Sequence, residues 1–129
     1  MKYQGYKDLA IYTKTHKLAV EIHEMTLHKL PKFEMYEEGQ QIRRSSKSAV
    51  SNIVEGFALR KYPREFFRYL MQSYGSVDET KEHLSLLFET KSLKDEAMYR
   101  YFHSNCEEIG KMLYGFISTH QRRMNDENK

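Results

Sequence analysis

Gln41-Ile42-Arg43-Arg44-Ser45-Ser46-Lys47-Ser48-Ala49-Val50-Ser51-Asn52-Ile53-Val54-Glu55-Gly56 carries two registers at once. Ile42, Ser46, Ala49, Ile53 and Gly56 fall three and four apart, the spacing of one face of an α-helix, and Val50, Val54 and Phe57 fill the next row. The central row is small, which lets a second helix axis come close. Beside it Gln41, Ser45, Ser48, Asn52 and Glu55 form a polar row at spacings of four, three, four and three. Serine and asparagine compete with the backbone for hydrogen bonds and are mediocre helix formers. A row of them inside an amphipathic helix therefore predicts packing or hydrogen bonding against a neighbour, and that is the pattern of one helix among several in a bundle.

Three further segments with the same period flank this one. The first runs from about Lys7 to Lys29, with Leu9, Tyr12, His16, Ala19, His23 and Leu27 in one stripe and Ile11, Leu18, Ile22 and Met25 widening it. Asp8 suits its positive end and Pro31 stops it. The second occupies about 37–60, with Glu34, Glu37 and Glu38 at its start. Lys61-Tyr62-Pro63 breaks the pattern, and proline is well placed as a first helical residue. The third spans about 63–90 through Phe66, Phe67, Leu70, Tyr74, Val77, Leu84, Leu87 and Phe88. Gly75 sits in its middle, where glycine costs about 1 kcal/mol relative to alanine, so close packing is expected there. The fourth spans about 95–120, after a capping-box variant made by Ser92 and Asp95, and carries Met98, Phe102, Ile109, Met112 and Phe116 with Leu113 and Ile117 beside them. Residues 121–129 are polar and read as a fraying tail.

Short connections make sequential helices antiparallel, so the prediction is an all-α, up-down-up-down four-helix bundle in one domain of 129 residues. Two prolines and six glycines are too few for a turn-rich β domain. The reverse turn near Tyr62 sets Ser48 opposite Ser76 and Arg44 or Ser45 opposite Glu79. An Arg44–Glu79 ion pair follows, with Asn52 and Glu55 hydrogen-bonded in the same seam. A subunit interface and a ligand site are the other readings of this polar row.

Chemistry finds little purchase. His23 and His28 lie five apart rather than four, so their rings do not share a helix face, and no Glu-x-x-His pair of the di-iron bundles occurs. His16 and His23 do share a face and read as boundary or core residues. Cys106 stands alone, which excludes an intrachain disulfide, suits a reducing cytoplasm, and has Glu107 and Glu108 beside it to raise its thiol pKa. No phosphate-binding glycine loop is present. No catalytic residue, metal or cofactor is expected, and the chain reads as no enzyme. Met1–Gly5 has no apolar run behind it, so no secretory leader is expected, and no stretch is apolar enough to span a membrane.

Charge is more informative in its distribution than in its sum of +3. Residues 41–68 hold seven basic residues against two acids, a local net of +5. Arg43, Lys47, Arg60, Lys61, Arg64 and Arg68 are candidates for phosphate contacts on RNA or DNA, and Tyr62 for stacking on a base. A solvated face of ordinary cations is the bland alternative. The second functional reading is assembly of the chain with itself through the broad apolar stripes of the first and last helices. Tyr12, Tyr99, Tyr101 and Tyr114 would cover that interface.

Gln41-Ile42-Arg43-Arg44, then Ser48, then Asn52-Ile53-Val54-Glu55-Gly56, resembles the signature of the 23S rRNA intervening-sequence proteins. Glu65-Phe66-Phe67-Arg68-Tyr69-Leu70 with Gly75-Ser76 and Glu79 is similar to that family's third helix, and Leu30-Pro31, Glu34 and Tyr36 to its first connection. Val54 stands where alanine is usual and Tyr74 where a small residue is usual. The resemblance implies a left-handed antiparallel bundle and assembly into homo-oligomers, in some members a ring-shaped homopentamer. It also implies kinship with the accessory proteins of diversity-generating retroelements, one of which presents a basic surface to nucleic acid. Some members are encoded inside insertions of ribosomal RNA genes.

Overall fold

The computed structural model describes residues 5–127. Met1–Gln4, at the point where no leader is expected, and Asn128–Lys129, at the end of the expected tail, lie outside the described residues. A single-turn 3-10 helix, Tyr6–Asp8, leads into α1 (Ala10–His28). A second 3-10 helix, Lys32–Tyr36, precedes α2 (Glu38–Ala58), followed by α3 (Pro63–Glu89) and α4 (Glu96–Glu127). No strand occurs among the described residues.

Cross-helix contacts give the directions. Arg44 reaches Glu79 while Gly56 faces Tyr69, so α2 and α3 run oppositely. Phe88 stacks on Tyr99 while His120 meets Pro63, which reverses α4 against α3. Lys14 pairs with Glu108 at 2.8 Å and Tyr101 with Glu21 at 2.7 Å, so α4 also runs against α1. Each helix packs on its sequence neighbours, and α1 closes the bundle against α4.

The core is one continuous cluster down the axis. On α2 the buried row is Ile42, Ser46, Ala49, Ile53 and Gly56, as the spacing predicts. On α1 the centre is shifted: Ile11, Thr15, Leu18, Ile22 and Met25 face inward, whereas His16 and Leu27, expected in the main stripe, are exposed. Two apolar stripes overlap on this helix, and the positions of α2 and α4, not the period, decide which is central. On α4 the axis is Phe102, Cys106, Ile109, Leu113 and Ile117, while Phe116 stays 37% exposed.

The connections are built from specific side chains. Glu34, 4% exposed, accepts the Glu38 N–H at its Oε1 (3.2 Å) and the Ser92 hydroxyl at its Oε2 (2.5 Å). One carboxylate thus caps the positive end of α2 and holds the α3–α4 connection. A Cβ on Gly39 would lie 2.3 Å from the Glu34 carbonyl oxygen, so only glycine fits at this corner. Ser92 is therefore not a helix cap. Asp95 has that role, its Oδ1 accepting the Met98 N–H at 3.1 Å, because Ser92 is drawn inward to Glu34. Lys91 ends α3 with φ of 68°, and the Leu93 N–H closes back on the Leu87 carbonyl at 2.9 Å.

Two expectations about helix length and packing are corrected. Gly75 is exposed with no neighbour near its missing Cβ; the crowded mid-helix glycine is Gly56, 3.2 Å from the Tyr69 Cβ. Residues 121–127 are helical, not a frayed tail. Beyond His120, which is level with Pro63 at the start of α3, α4 continues for seven residues, about 10 Å.

Candidate nucleic-acid interface

Four helix termini meet at the end of the bundle that carries the α2–α3 turn. Arg60 donates to the Phe57 carbonyl at 3.2 Å, where a cation suits the negative end of α2. Lys61 lies over the Tyr62 ring at 5.7 Å, and Tyr62 is 53% exposed. Arg64 is exposed on the first turn of α3. Arg68 pairs with Glu65 at 2.6 Å and covers the Tyr69 ring at 4.5 Å, so part of its charge is spent locally. Its hydrogen bond to Glu65, then that to Tyr69, raises its pKa further. Because α4 stays helical, it brings exposed Arg122 and Arg123 to the same end. Sequence reasoning missed these two by ending the helix at 120; the signal available was the absence of proline or glycine after His120.

The other predicted cations diverge from this group. Arg43 points inward, its guanidinium donating to Thr26 Oγ1 at 2.9 Å and to the Met35 carbonyl at 2.6 Å. It ties α2 to the end of α1 and to the connection between them. Lys47 is exposed on the α1 side of α2, more than three turns from the basic end.

The polar row of α2 meets α3 in a ladder of hydrogen bonds. Ser45 Oγ lies 2.8 Å from Thr80 Oγ1, and Ser48 Oγ lies 3.0 Å from Ser76 Oγ. Ser73 donates to the Ala49 carbonyl at 2.8 Å. Asn52 turns back on its own helix, donating to the Ser48 carbonyl at 2.9 Å. Arg44 pairs with Glu79 and is also held by Gln41. Glu55 leaves the row: it is exposed, lines the groove between α1 and α2, and makes no hydrogen bond in the seam among the described residues. A carboxylate with no donor facing it keeps its water. His83 completes the ladder, with Nδ1 2.6 Å from Glu38 and Nε2 3.1 Å from Glu79. The two carboxylates sit on opposite edges of the ring, so the three groups share no centre.

The four antiparallel helices follow the order that the sequence resemblance implies. The family model for the 23S rRNA-intervening sequence protein matches residues 7–115. The chain belongs to this family. A crystal structure of a protein with unknown function from the S23 ribosomal protein family of Bacteroides thetaiotaomicron VPI-5482 has the same fold. Its TM-score is 0.76 at 25% identity, over 84% of this chain and 95% of that one. No curated protein matches the chain.

For this member of the intervening-sequence family, a second surface lies between α1 and α2. It is an open groove of about 500 Å³ lined by Tyr12, Ala19, Val20, Val50 and Val54, with His16, His23, Glu24, Lys47 and Glu55 at its walls. His23 Nδ1 is buried there without a hydrogen-bond partner among the described residues. The four expected interface tyrosines separate. Tyr114 and Tyr101 are exposed, at 62% and 44%. Tyr12 and Tyr99 are half-buried, Tyr12 packed on Tyr6 and Tyr99 stacked on Phe88 at 4.3 Å. Bonding to Glu21 raises the Tyr101 pKa above 10.0. Cys106 is buried, and burial, more than its acidic neighbours, pushes its thiol up to about 12. Among the described residues no helix is long and apolar enough to cross a membrane. No metal-holding group of three or more His, Cys, Asp or Glu occurs among the described residues.

Proposed function

We propose that this member of the intervening-sequence family is a non-enzymatic, cytoplasmic helical-bundle module that binds RNA or DNA through the end formed by the α2–α3 turn and the last turns of α4. One observation carries the reading: Lys61, Arg64, Arg122 and Arg123 are exposed at one end, next to an exposed Tyr62. Clustered cations release counterions from a phosphate backbone, and an aromatic ring beside them offers a stacking platform to any base. The test is fluorescence anisotropy of a labelled oligonucleotide with Lys61→Glu/Arg64→Glu. The double variant should keep its helical circular dichroism and bind at least about tenfold more weakly, since two phosphate contacts become repulsions. Unchanged affinity would remove this end as the interface.

A second reading, assembly without nucleic acid, draws on the α1–α2 groove. Val20 is 49% exposed at its edge, beside Val50 and Val54, in a strip of apolar surface that burial against another chain would cover. The resemblance to ring-forming relatives points the same way. Light scattering on the 15.5 kDa chain should then give a multiple of that mass, and Val20→Glu should reduce it to a monomer. A monomeric wild type would dismiss this reading. The two readings are compatible, because a ring would repeat the basic end around its axis.

A further inference from the structure

Next to the basic end, α3 and α4 enclose a second hollow, of about 550 Å³. Phe66 forms its floor, with Phe116 and His120 beside it and Lys111, Gly115 and Arg123 around it. The His120 Nε2 donates to the Pro63 carbonyl at 2.7 Å, which sets the imidazole edge-to-face on Phe66 with centroids 4.8 Å apart. Phe116 leans on Phe57 at 5.7 Å and is still 37% exposed. Nothing lies within 4 Å of where a Gly115 Cβ would stand, so that wall is low and open.

The charge of this hollow separates it from three others on the described surface. Its lining holds two cations, Lys111 and Arg123, and no carboxylate. The α1–α2 groove carries Glu24 and Glu55, and two hollows between α1 and α4 carry Glu21. An apolar partner alone needs no cations at the rim, and a duplex offers its phosphates but keeps its bases stacked inside. A flat aromatic group attached to an anion satisfies both the aromatic floor and the basic rim.

We infer that this hollow receives an unpaired nucleobase of a single strand, stacked against Phe116 with neighbouring phosphates on Lys111 and Arg123. The inference rests on the proposed nucleic-acid reading and adds a preference for unpaired over paired strands. Tyr62, adjacent in sequence to the Pro63 that His120 holds, would then stack a second base along the same path from the α2–α3 turn.

The experiment measures anisotropy of fluorescein-labelled oligouridine and oligothymidine of about 20 nucleotides, against a labelled duplex of the same length, where single strands bind aromatic platforms and grooves of this scale. The wild type should bind the single strands more tightly than the duplex. Phe116→Ala should weaken single-strand binding by about tenfold, within the range for loss of one stacking aromatic, and leave the duplex unchanged. Phe116→Trp should retain binding. Lys111→Ala should reduce the salt slope on single strands by about 0.7, one phosphate contact. Oligouridine and oligothymidine distinguish RNA from DNA as the source of the base. If Phe116→Ala binds like wild type while Lys61→Glu/Arg64→Glu does not, the hollow is overturned and the basic end stands. If wild type binds no oligonucleotide at low salt, both fall. If Phe116→Ala changes the solution mass and not the binding, this face joins copies of the chain, and the inference is likewise overturned.

Discussion

Single residues that a periodicity scan treats alike have unlike roles here. Gly39, Gly56 and Gly75 are all helical glycines, yet Gly39 and Gly56 abut other atoms and Gly75 abuts none. Gly75→Ala should therefore stabilise the fold by about 1 kcal/mol, the helix-propensity difference. Gly39→Ala should destabilise it, because the Glu34 carbonyl oxygen has no room to retreat. Chemical denaturation of both variants checks the pair. Glu34→Ala should cost about 2 kcal/mol, since it uncaps α2 and strands the Ser92 hydroxyl in the interior. Such roles were illegible in the sequence: Glu34 looks like any acid before a helix, and its partner Ser92 arrives from 58 residues away. Cys106 makes a pH prediction. Burial, partly offset by Lys81, raises its pKa from 9.0 to about 12. Above 9 the unfolded chain sheds a proton that the folded chain keeps, so the native state binds more protons and stability falls as pH rises from 9 toward 12. This group contributes up to about 1.4 kcal/mol per pH unit, and Cys106→Val should flatten the decline in unfolding curves taken across that window.

At the scale of helices, the period fixed the existence and order of all four, and on α2 it also fixed the buried face. There the polar row and the small row leave one orientation that satisfies both. The same row predicted Arg44–Glu79 and Ser48–Ser76, because an antiparallel turn at a known position sets register arithmetically. It did not predict Thr80, Ser73 or His83, whose partners depend on rotation of α3 about its axis. Nor did it place Arg43, which resembles its neighbours until the first connection folds over it. The end of α4 was missed because polarity was taken for fraying. Seven further residues without proline or glycine carry no stop signal, and the helix continues. Within the seam, exposure ranks the contacts. Arg44 and Glu79 are 55% and 38% exposed, so a double-mutant cycle on that pair should give less than about 1 kcal/mol. Ser73→Ala, fully buried and bonded to the backbone of α2, should cost about 1 kcal/mol by itself. A coupling at Arg44–Glu79 larger than the Ser73→Ala cost would reverse this ranking.

For the whole molecule, the up-down-up-down order determines which termini share an end. It gathers the end of α2, the start of α3 and the end of α4, and so converts basic residues scattered over 60–68 and 122–123 into one surface. The opposite end is stitched by Glu34, Ser92, Arg43 and the Met35 carbonyl. That end also exposes Lys29, Lys32, Lys91 and Lys94, but beside exposed Glu37, Glu89, Asp95 and Glu96, so the cationic excess lies at the α2–α3 end, and the functional proposal follows from that asymmetry. The most direct test is the salt dependence of single-strand binding by the wild-type chain between about 50 and 200 mM salt, the range over which counterion release dominates. With about four phosphates neutralised at the basic end, the logarithm of the binding constant should fall linearly against the logarithm of salt with a slope of about −3. A slope near zero, or no binding at the lowest salt, would contradict a phosphate-binding end.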